Sequence, residues 1–167
     1  MEKNRKIISR WILFFIIALI ISGATAIPVE TELSFLLSFF SLNRPIGIWL
    51  QKVYDAFHEV NTTYPFLAYG YDWLAFAHFV LAILFIGPLK DPVKNKWVIE
   101  FAMIACILII PFAFIAGSFR QIPLGWRLID CSFGVFGLIP LWICKRKIEL
   151  LEIQEKQESE KYVSIAY

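Results

Sequence analysis

Charged residues are few in this sequence for its length. Asp, Glu, Lys and Arg make up 18% of its 167 residues, against about 25% in soluble domains, and the net charge is only +2. Such a balance lacks the basic surface on which nucleic-acid binding depends, and it excludes that class of partner. With 59% hydrophobic residues and a mean hydropathy of +0.65, the chain is also too apolar for a disordered segment or a water-soluble fold.

Cysteine and histidine are scarce as well. The three cysteines, Cys106, Cys131 and Cys144, have no C-x-x-C spacing, and they lie in apolar stretches where free thiols behave as small hydrophobic side chains. One of the two histidines, His58, is followed by Glu59, but the second histidine of an H-E-x-x-H motif is missing. The sequence therefore predicts no disulfide framework, no metal site and no cofactor.

Long apolar runs are what the sequence does have. A helix needs about 20 mostly apolar residues to cross roughly 30 Å of hydrocarbon, and four stretches reach this length: residues 7–28, 66–88, 97–118 and 123–144. Backbone polar groups in lipid must be satisfied within the segment, and the alternating pattern of barrel strands is absent. We therefore predict an all-α polytopic membrane protein, with four transmembrane helices forming a four-helix bundle as one domain over residues 1–148.

The first of these stretches has two interpretations. A basic segment over residues 3–10, a short apolar run over Trp11–Ser22 and an A-x-A pattern at residues 24–26 are typical of a cleaved signal peptide. Against cleavage, the apolar character continues through Ile27 and Val29, and the stretch is long enough to span a membrane. We favour the retained helix, and the alternative would leave three spans.

Lys and Arg are distributed unevenly between the two sides that four spans define. One side carries Lys3, Arg5, Lys6, Arg10, Lys90, Lys94, Lys96, Lys145, Arg146 and Lys147. The other side carries only Arg44, Lys52, Arg120 and Arg127. Because basic residues beside short loops favour the cytoplasmic side, we predict a protein of the plasma (inner) membrane with both termini in the cytoplasm.

Two further predictions for the cytoplasmic side concern the partners of Glu100 and the conformation of the C-terminal tail. Glu100 lies one turn from the start of the third span, close in sequence to Lys94 and Lys96, and we expect it to pair with them. The polar tail over residues 149–167 mixes both signs of charge. We expect it to be a short helical extension of the fourth span that frays in solvent.

The segment between the first two spans, residues 30–65, is too long for a turn and too apolar for a solvated loop. Its first part, Thr31–Leu42, places Ser34, Ser38 and Ser41 along one stripe and apolar side chains opposite. Thr31 is a suitable N-cap, because its hydroxyl can accept a hydrogen bond from a free N–H of the first turn. This part is predicted to be a short amphipathic helix.

The second part of this segment has a helical period of its own. Residues 43–45 end the first helix and start another, since proline is tolerated in a first turn. Apolar residues recur at Ile46, Trp49, Leu50, Val53, Phe57 and Val60, with Gln51, Lys52, Asp55, His58 and Glu59 on the other side. We predict an external pair of short amphipathic helices, lying on the membrane surface or folded over the bundle as a lid.

The fourth span carries two charged residues on a face with glycines. Arg127, Asp130, Gly134 and Gly137 follow a 3-4-3 spacing and so share one face of the helix. The glycines allow a close approach by a neighbouring helix, which is either another span or a second copy or membrane partner. The charged residues are either an anion or headgroup site, with Arg127 binding and Asp130 orienting it, or a structural ion pair.

The second span contains Asp72 and His78, and a charged group at the centre of a membrane helix costs roughly 2.5–3.5 kcal/mol on insertion scales. His78 is interpreted either as a neutral histidine bonded to a backbone carbonyl or a hydroxyl, or as a general base or ligand contact. Asp72 and Asp130 are expected at similar depth. Together with Arg120 and Arg127, they predict ligand-binding side chains around one outward-facing cavity.

Three functions from different classes fit these residues. The first, which we favour, is binding of a lipid or small amphiphile, or of a membrane partner, through the polar-lined cavity. The second is a membrane-embedded enzyme for a lipid-linked or amphiphilic substrate, with His78 as base and Asp72 or Asp130 orienting it. The third is a subunit of a transporter or channel, although the inverted-repeat signature of many transporters is absent.

Overall fold

The computed structural model describes residues 2–40 and 44–165, with side chains through residue 161. Within these ranges the chain is helical and contains no strand. The helices are α1 (Glu2–Thr25), α2 (Val29–Leu37), α3 (Pro45–Thr63), α4 (Pro65–Leu84), α5 (Ile86–Lys90), α6 (Lys96–Phe119) and α7 (Leu124–Ile165). Ser41 and Leu42, at the end of the predicted first amphipathic helix, and Asn43, which follows it, lie outside the described residues.

Among the described residues, four segments are long and apolar enough to cross a membrane, which confirms the predicted number. They are α1, α4 together with α5, α6, and the Leu124–Lys161 part of α7. A signal peptide would also be helical over its apolar part, so both interpretations of the first stretch still stand. Membrane insertion and the assembly of the four helices into one bundle stay predictions.

Prolines mark most of the helix boundaries. α1 ends at Thr25, shortly before Pro28, and Arg44 has an extended backbone (φ −106°, ψ 146°) before Pro45 starts α3. Tyr64 leaves the helical region (φ −133°, ψ 55°) before Pro65 starts α4. The reason is steric, since the proline ring disfavours a helical conformation of the preceding residue and itself fits a first turn.

The chain divides into two compact units, which are described separately. Unit 1 comprises Met1–Phe15 and Leu84–Tyr167, and therefore contains the first half of α1 with α5, α6 and α7. Unit 2 comprises Ile16–Ile83, and contains the second half of α1 with α2, α3 and α4.

The core of unit 1 lies at the beginning of α6 and in the middle of α7. The side chains that are almost completely buried there are Ile8, Ile12, Val98, Ile99, Leu141, Cys144, Ile148 and Leu151. Three ion pairs surround this core: Arg5–Glu155 at 2.7 Å, Lys96–Glu152 at 3.0 Å and Lys145–Glu100 at 3.1 Å. We call this core with its three ion pairs the paired end of unit 1.

The paired end corrects the expected partners of Glu100. Its carboxylate contacts Lys145 of α7, whereas Lys96 pairs with Glu152 and Lys94 with Asp91. The reason is that α7 packs beside α6 and supplies a cation from another helix. The predicted helical extension after residue 149 is present as part of α7. Its first turns are packed as well, because Leu151 has no exposed surface.

The helices α6 and α7 approach closely through the glycine face that the 3-4-3 spacing predicts. A Cβ atom on Gly134 would overlap the backbone carbonyl oxygen of Cys106, and one on Gly137 would lie 3.0 Å from the Cys106 sulfur. The absence of a side chain at Gly134 therefore sets the distance between the two helices, as small residues do at contacts between membrane helices.

In unit 2, α1 and α4 also meet at a glycine. A Cβ atom on Gly23 would lie 2.9 Å from the carbonyl oxygen of Ala75 and 3.1 Å from Cβ of His78. Burial along α3 follows the period assigned from the sequence: Trp49, Val53, Phe57 and Val60 are partly buried, and Lys52, Asp55 and Glu59 are exposed. Whether α2 and α3 lie outside a membrane stays a prediction.

Candidate ligand-binding site

The turn between α6 and α7 has an unusual residue at its centre. Gln121 adopts the left-handed conformation (φ 54°) that glycine usually provides. The N–H of Ile122 donates to the carbonyl of Gly117 at 2.9 Å, and the N–H of Gln121 donates to that of Ser118 at 3.3 Å. These two bonds form a Schellman motif, which satisfies the last carbonyls of α6 and turns the chain tightly into α7.

Arg127 of α7 is held by this turn and by the last turns of α6. Its Nε donates to the carbonyl oxygen of Ile122 at 2.7 Å, and its Nη1 donates to Oγ of Ser118 at 2.9 Å. The Ser118 hydroxyl in turn donates to the carbonyl of Phe114 at 2.7 Å. The side chain crosses α6 at Gly117, where a Cβ atom would lie 2.9 Å from Cδ of Arg127. The guanidinium group is thus oriented while most of its five N–H donors stay available.

A cavity of about 240 Å³ lies in front of this arginine, and we call it the α6–α7 cavity. It is lined by Ile109, Phe112, Ala113, Ala116, Gly117, Arg120, Ile122, Arg127 and Asp130. Along α6, the lining residues extend from Ile109 to the C-cap residue Arg120. This separation of eleven residues corresponds to about 16 Å at 1.5 Å per residue. Most of the wall is apolar, and the charged residues belong to the end formed by the interhelical turn and the start of α7.

The charged residues of the α6–α7 cavity have no ionic partners among the described residues. Arg127 and Asp130 do not form the ion pair that the sequence left open, because Arg127 is bonded to Ser118 and Ile122 instead. The side chains of Asp130 and Arg120 form neither an ion pair nor a hydrogen bond in the described part of the chain. The cavity therefore presents two cations and one carboxylate that the fold does not neutralise by direct pairing.

Unit 2 contains a second cavity, of about 250 Å³. It is lined by Ile27, Pro28, Val29, Glu30, Thr31, Phe57, Asn61, Ala68, Tyr71 and Asp72. Its wall includes one strongly bonded group: the Glu30 carboxylate accepts from Asn61 Nδ2 at 2.8 Å and from His58 Nδ1 at 2.6 Å. These hydrogen bonds, that of Asn61 first, hold the pKa of the Glu30 carboxyl below its ordinary value.

The sequence missed this Glu30 cluster, which joins α2 to α3. It placed His58 on the polar side of the second amphipathic helix, without a partner. The only local signal is the spacing of His58 and Asn61, three residues apart on one helix face. That Glu30 would meet them, from 28 residues earlier in the chain, depends on the packing of α2 against α3.

The two candidate residues of the second span also belong to unit 2. Asp72 lines its cavity and is exposed. His78 is partly buried, and its Nδ1 donates to the backbone carbonyl of Leu74 at 2.7 Å. This is the contact expected of a neutral, structural histidine, the first of its two interpretations. The described side chains of Asp72 and His78 are not bonded to one another. That they form a cluster with Arg120, Arg127 and Asp130 stays a prediction, since those three line the cavity of unit 1.

Comparison with known proteins does not assign the chain to a family. No family model, curated protein or solved structure matches it. In the part of the chain that the structure describes, no group of three or more His, Cys, Asp and Glu side chains is placed to hold a metal ion.

Proposed function

We propose that the protein is an integral membrane protein that binds the phosphate-bearing headgroup of a membrane amphiphile in the α6–α7 cavity. The observation that carries this proposal is the composition of the cavity wall, which is apolar except for Arg120, Arg127 and Asp130 at one end. Arginine binds phosphate through two parallel hydrogen bonds, which makes it well suited to such headgroups. An apolar wall next to these arginines matches the two chemical parts of an amphiphile.

Arg127 supports the proposal through its orientation. Its hydrogen bonds to Ile122 and Ser118 fix the plane of the guanidinium before any ligand arrives. A side chain that is already ordered loses less conformational entropy on binding than a mobile one, and this improves affinity. Gly117 contributes by leaving room for the Arg127 side chain to cross α6.

The size of the cavity limits what it holds. Pockets for drug-sized ligands measure about 300–1,000 Å³, and the α6–α7 cavity measures about 240 Å³. It therefore accommodates a headgroup with the first part of an acyl chain, while the remainder of the lipid stays in the bilayer. Phe112, which is 71% exposed at the cavity, is available to contact that remainder.

The uneven distribution of Lys and Arg supports an inner-membrane location with both termini in the cytoplasm. In this topology the turn that contains Arg120 lies outside. The segment of α2 and α3 is also external, which is supported by the polar, exposed positions of Lys52, Asp55 and Glu59. A membrane-impermeant reagent should reach a tag at the C-terminus only after the cytoplasmic membrane is permeabilised.

The other functions that fit the sequence have less support. A general base at His78 would be expected to contact a carboxylate, and its Nδ1 instead contacts the Leu74 carbonyl. A second copy, a membrane partner or another channel subunit would need a face other than Gly134 and Gly137, because α6 of the same chain already occupies that face. Neither observation favours an enzyme or a transporter subunit over a binding protein.

Binding of defined lipids to the purified protein tests the proposal. Native mass spectrometry should detect tighter binding of phosphatidylglycerol than of a diacylglycerol with the same acyl chains, because only the former carries a phosphate. The double substitution Arg120→Ala and Arg127→Ala should weaken phosphatidylglycerol binding at least about tenfold, since hydrogen bonds to charged groups contribute about 1.5–3 kcal/mol.

The matched control is the double substitution Arg44→Ala and Lys52→Ala, which also removes two positive charges, one just before α3 and one within it. This control should leave binding unchanged. Equal binding of both lipids by the natural protein would contradict the proposal. So would equal weakening by the two double variants, because binding would then depend on net charge and not on the cavity.

A further inference from the structure

Asp130 is unexpected in a site for a simple anion. Its carboxylate lines the same cavity as Arg120 and Arg127 and, among the described residues, has no hydrogen-bond or ionic partner. Next to a bound phosphate it would repel the ligand, and like charges brought together without compensation cost affinity. The cavity therefore contains a group that a purely anionic headgroup does not use.

The fold keeps this carboxylate from being neutralised by Arg127. The guanidinium is bonded to Ser118 Oγ and to the Ile122 carbonyl, two neutral acceptors. Asp130 follows Arg127 by three residues and lies on the same side of α7, about 4.5 Å further along the helix axis. Positive and negative groups that line one cavity are thus both available to a ligand.

We propose that the α6–α7 cavity selects a zwitterionic headgroup, a phosphate joined through a short linker to a protonated primary amine. This inference rests on the proposed function, since it specifies the ligand class of the same cavity. Arg120 and Arg127 bind the phosphate, and the ammonium group donates hydrogen bonds to the Asp130 carboxylate. Each charged group of the site then has a partner of opposite sign.

The selectivity follows from what other headgroups leave unpaired. A quaternary ammonium has no N–H and donates no hydrogen bond to Asp130, while a glycerol headgroup supplies hydroxyls but no positive charge. A site built around a polar group discriminates strongly against ligands that leave this group without a partner. Charge-assisted hydrogen bonds are the strongest of those involved, and their loss should weaken binding about tenfold.

The test compares dioleoyl phosphatidylethanolamine, phosphatidylcholine, phosphatidylglycerol and diacylglycerol by native mass spectrometry of the full chain. Water-soluble glycerophosphoethanolamine distinguishes a free aminoalkyl phosphate from a lipid as the source of the headgroup. We expect phosphatidylethanolamine to bind about tenfold more tightly than the other two phospholipids, and the soluble headgroup to bind weakly because it lacks the apolar part.

The variant Asp130→Asn keeps the size of the side chain and removes its charge, and it should abolish the preference for phosphatidylethanolamine over phosphatidylglycerol. The control Asp55→Asn, on α3, should keep the preference, and thermal unfolding confirms that both variants are folded. A preference that survives Asp130→Asn, or equal binding of the three phospholipids by the natural protein, would overturn the inference while leaving phosphate binding intact. Failure of every phospholipid to exceed diacylglycerol would instead overturn the proposed function.

Discussion

At the paired end of unit 1, the basic side chains of Arg5, Lys96 and Lys145 each lie within 3.1 Å of a carboxylate from another helix. At the α6–α7 cavity, Arg120 and Asp130 have no such partner in the described part of the chain, and Arg127 is bonded to neutral oxygens. Both regions are built on α6 and α7, and both contain charged residues of both signs. They differ in whether the fold pairs these charges with one another.

In the proposed function, the paired charges support the fold, and the charges of the α6–α7 cavity bind the ligand. An ion pair between helices contributes modestly to stability, at most about 1 kcal/mol for an exposed pair. A charge that stays unpaired in a membrane helix contributes nothing of this kind and carries a cost. If the cavity charges bind a ligand, as proposed, the two regions should respond differently to substitution.

The largest expected effect concerns the helix contact on which both regions depend. Gly134→Ala places a methyl group against the backbone carbonyl of Cys106, which cannot move without shifting α6. We expect a loss of about 1–3 kcal/mol in the free energy of unfolding, as for overpacked cores. Gly70→Ala is the control, because a Cβ atom there meets nothing within 4 Å. It should stabilise α4 by roughly 0.5–1 kcal/mol. Equal thermal stability of the two variants would contradict the close contact.

Two single substitutions test the comparison itself. Lys145→Ala removes the partner of Glu100 at 3.1 Å and should lower the free energy of unfolding by about 0.5–1 kcal/mol. It should leave phosphatidylglycerol binding unchanged. Arg120→Ala should have the opposite effects, because this side chain forms no ion pair with the described residues. Its free energy of unfolding should stay within about 0.5 kcal/mol of that of the natural protein, and its lipid binding should be weaker. If both variants lose stability equally and bind lipid equally, the distinction between the two regions is wrong.

The turn at the cavity offers a stabilising substitution. Gln121 has φ 54°, and a left-handed conformation costs a residue with a Cβ atom roughly 1–2 kcal/mol. Gln121→Gly removes this cost, but it also makes the unfolded chain more flexible, which opposes folding. We therefore expect a net increase of about 0.5 kcal/mol in the free energy of unfolding. Chemical or thermal denaturation measures it. A destabilised Gln121→Gly variant would show that the glutamine side chain has a role that its backbone conformation does not explain.

The smallest expected effect concerns Glu30 in unit 2, whose carboxylate accepts hydrogen bonds from Asn61 and His58. Because hydrogen bonds lower the pKa of Glu30 in the folded protein, its contribution to stability is complete above the ordinary carboxyl pKa of 4.5. It is lost as the pH falls through the lowered value. Thermal unfolding from pH 7 to pH 3 should thus show a steeper acid-side decline for the natural protein than for Glu30→Gln. Parallel curves would contradict the role of this cluster.

What the sequence predicts well in this protein is local. The four spans follow from the length of apolar runs, and the shared face of Arg127, Asp130, Gly134 and Gly137 follows from helical spacing. The partners of charged residues do not follow, since Arg5 and Glu155 are 150 positions apart and meet only after α1 and α7 pack.

The orientation of Arg127 was equally inaccessible from the sequence. It depends on the Ile122 carbonyl, which is placed by a left-handed Gln121, and glutamine gives no signal of that conformation. It also depends on Ser118 and Gly117, which in sequence terms are ordinary small residues of an apolar helix. The sequence thus singled out Arg120, Arg127 and Asp130 as candidate residues, but not the contacts of Arg127 that keep it from pairing with Asp130.

Locating the bound lipid by photo-crosslinking tests headgroup binding most directly. A phospholipid with a diazirine on the acyl chain close to the headgroup would be irradiated with the full-length protein in nanodiscs, and the adducts mapped by peptide mass spectrometry. Headgroup binding in the α6–α7 cavity predicts adducts concentrated between Ile109 and Ile122. These adducts should be lost in the Arg120→Ala, Arg127→Ala double variant but not in the Arg44→Ala, Lys52→Ala control. Adducts spread evenly over α1, α4 and α6, or unchanged in the cavity variant, would contradict headgroup binding in the α6–α7 cavity.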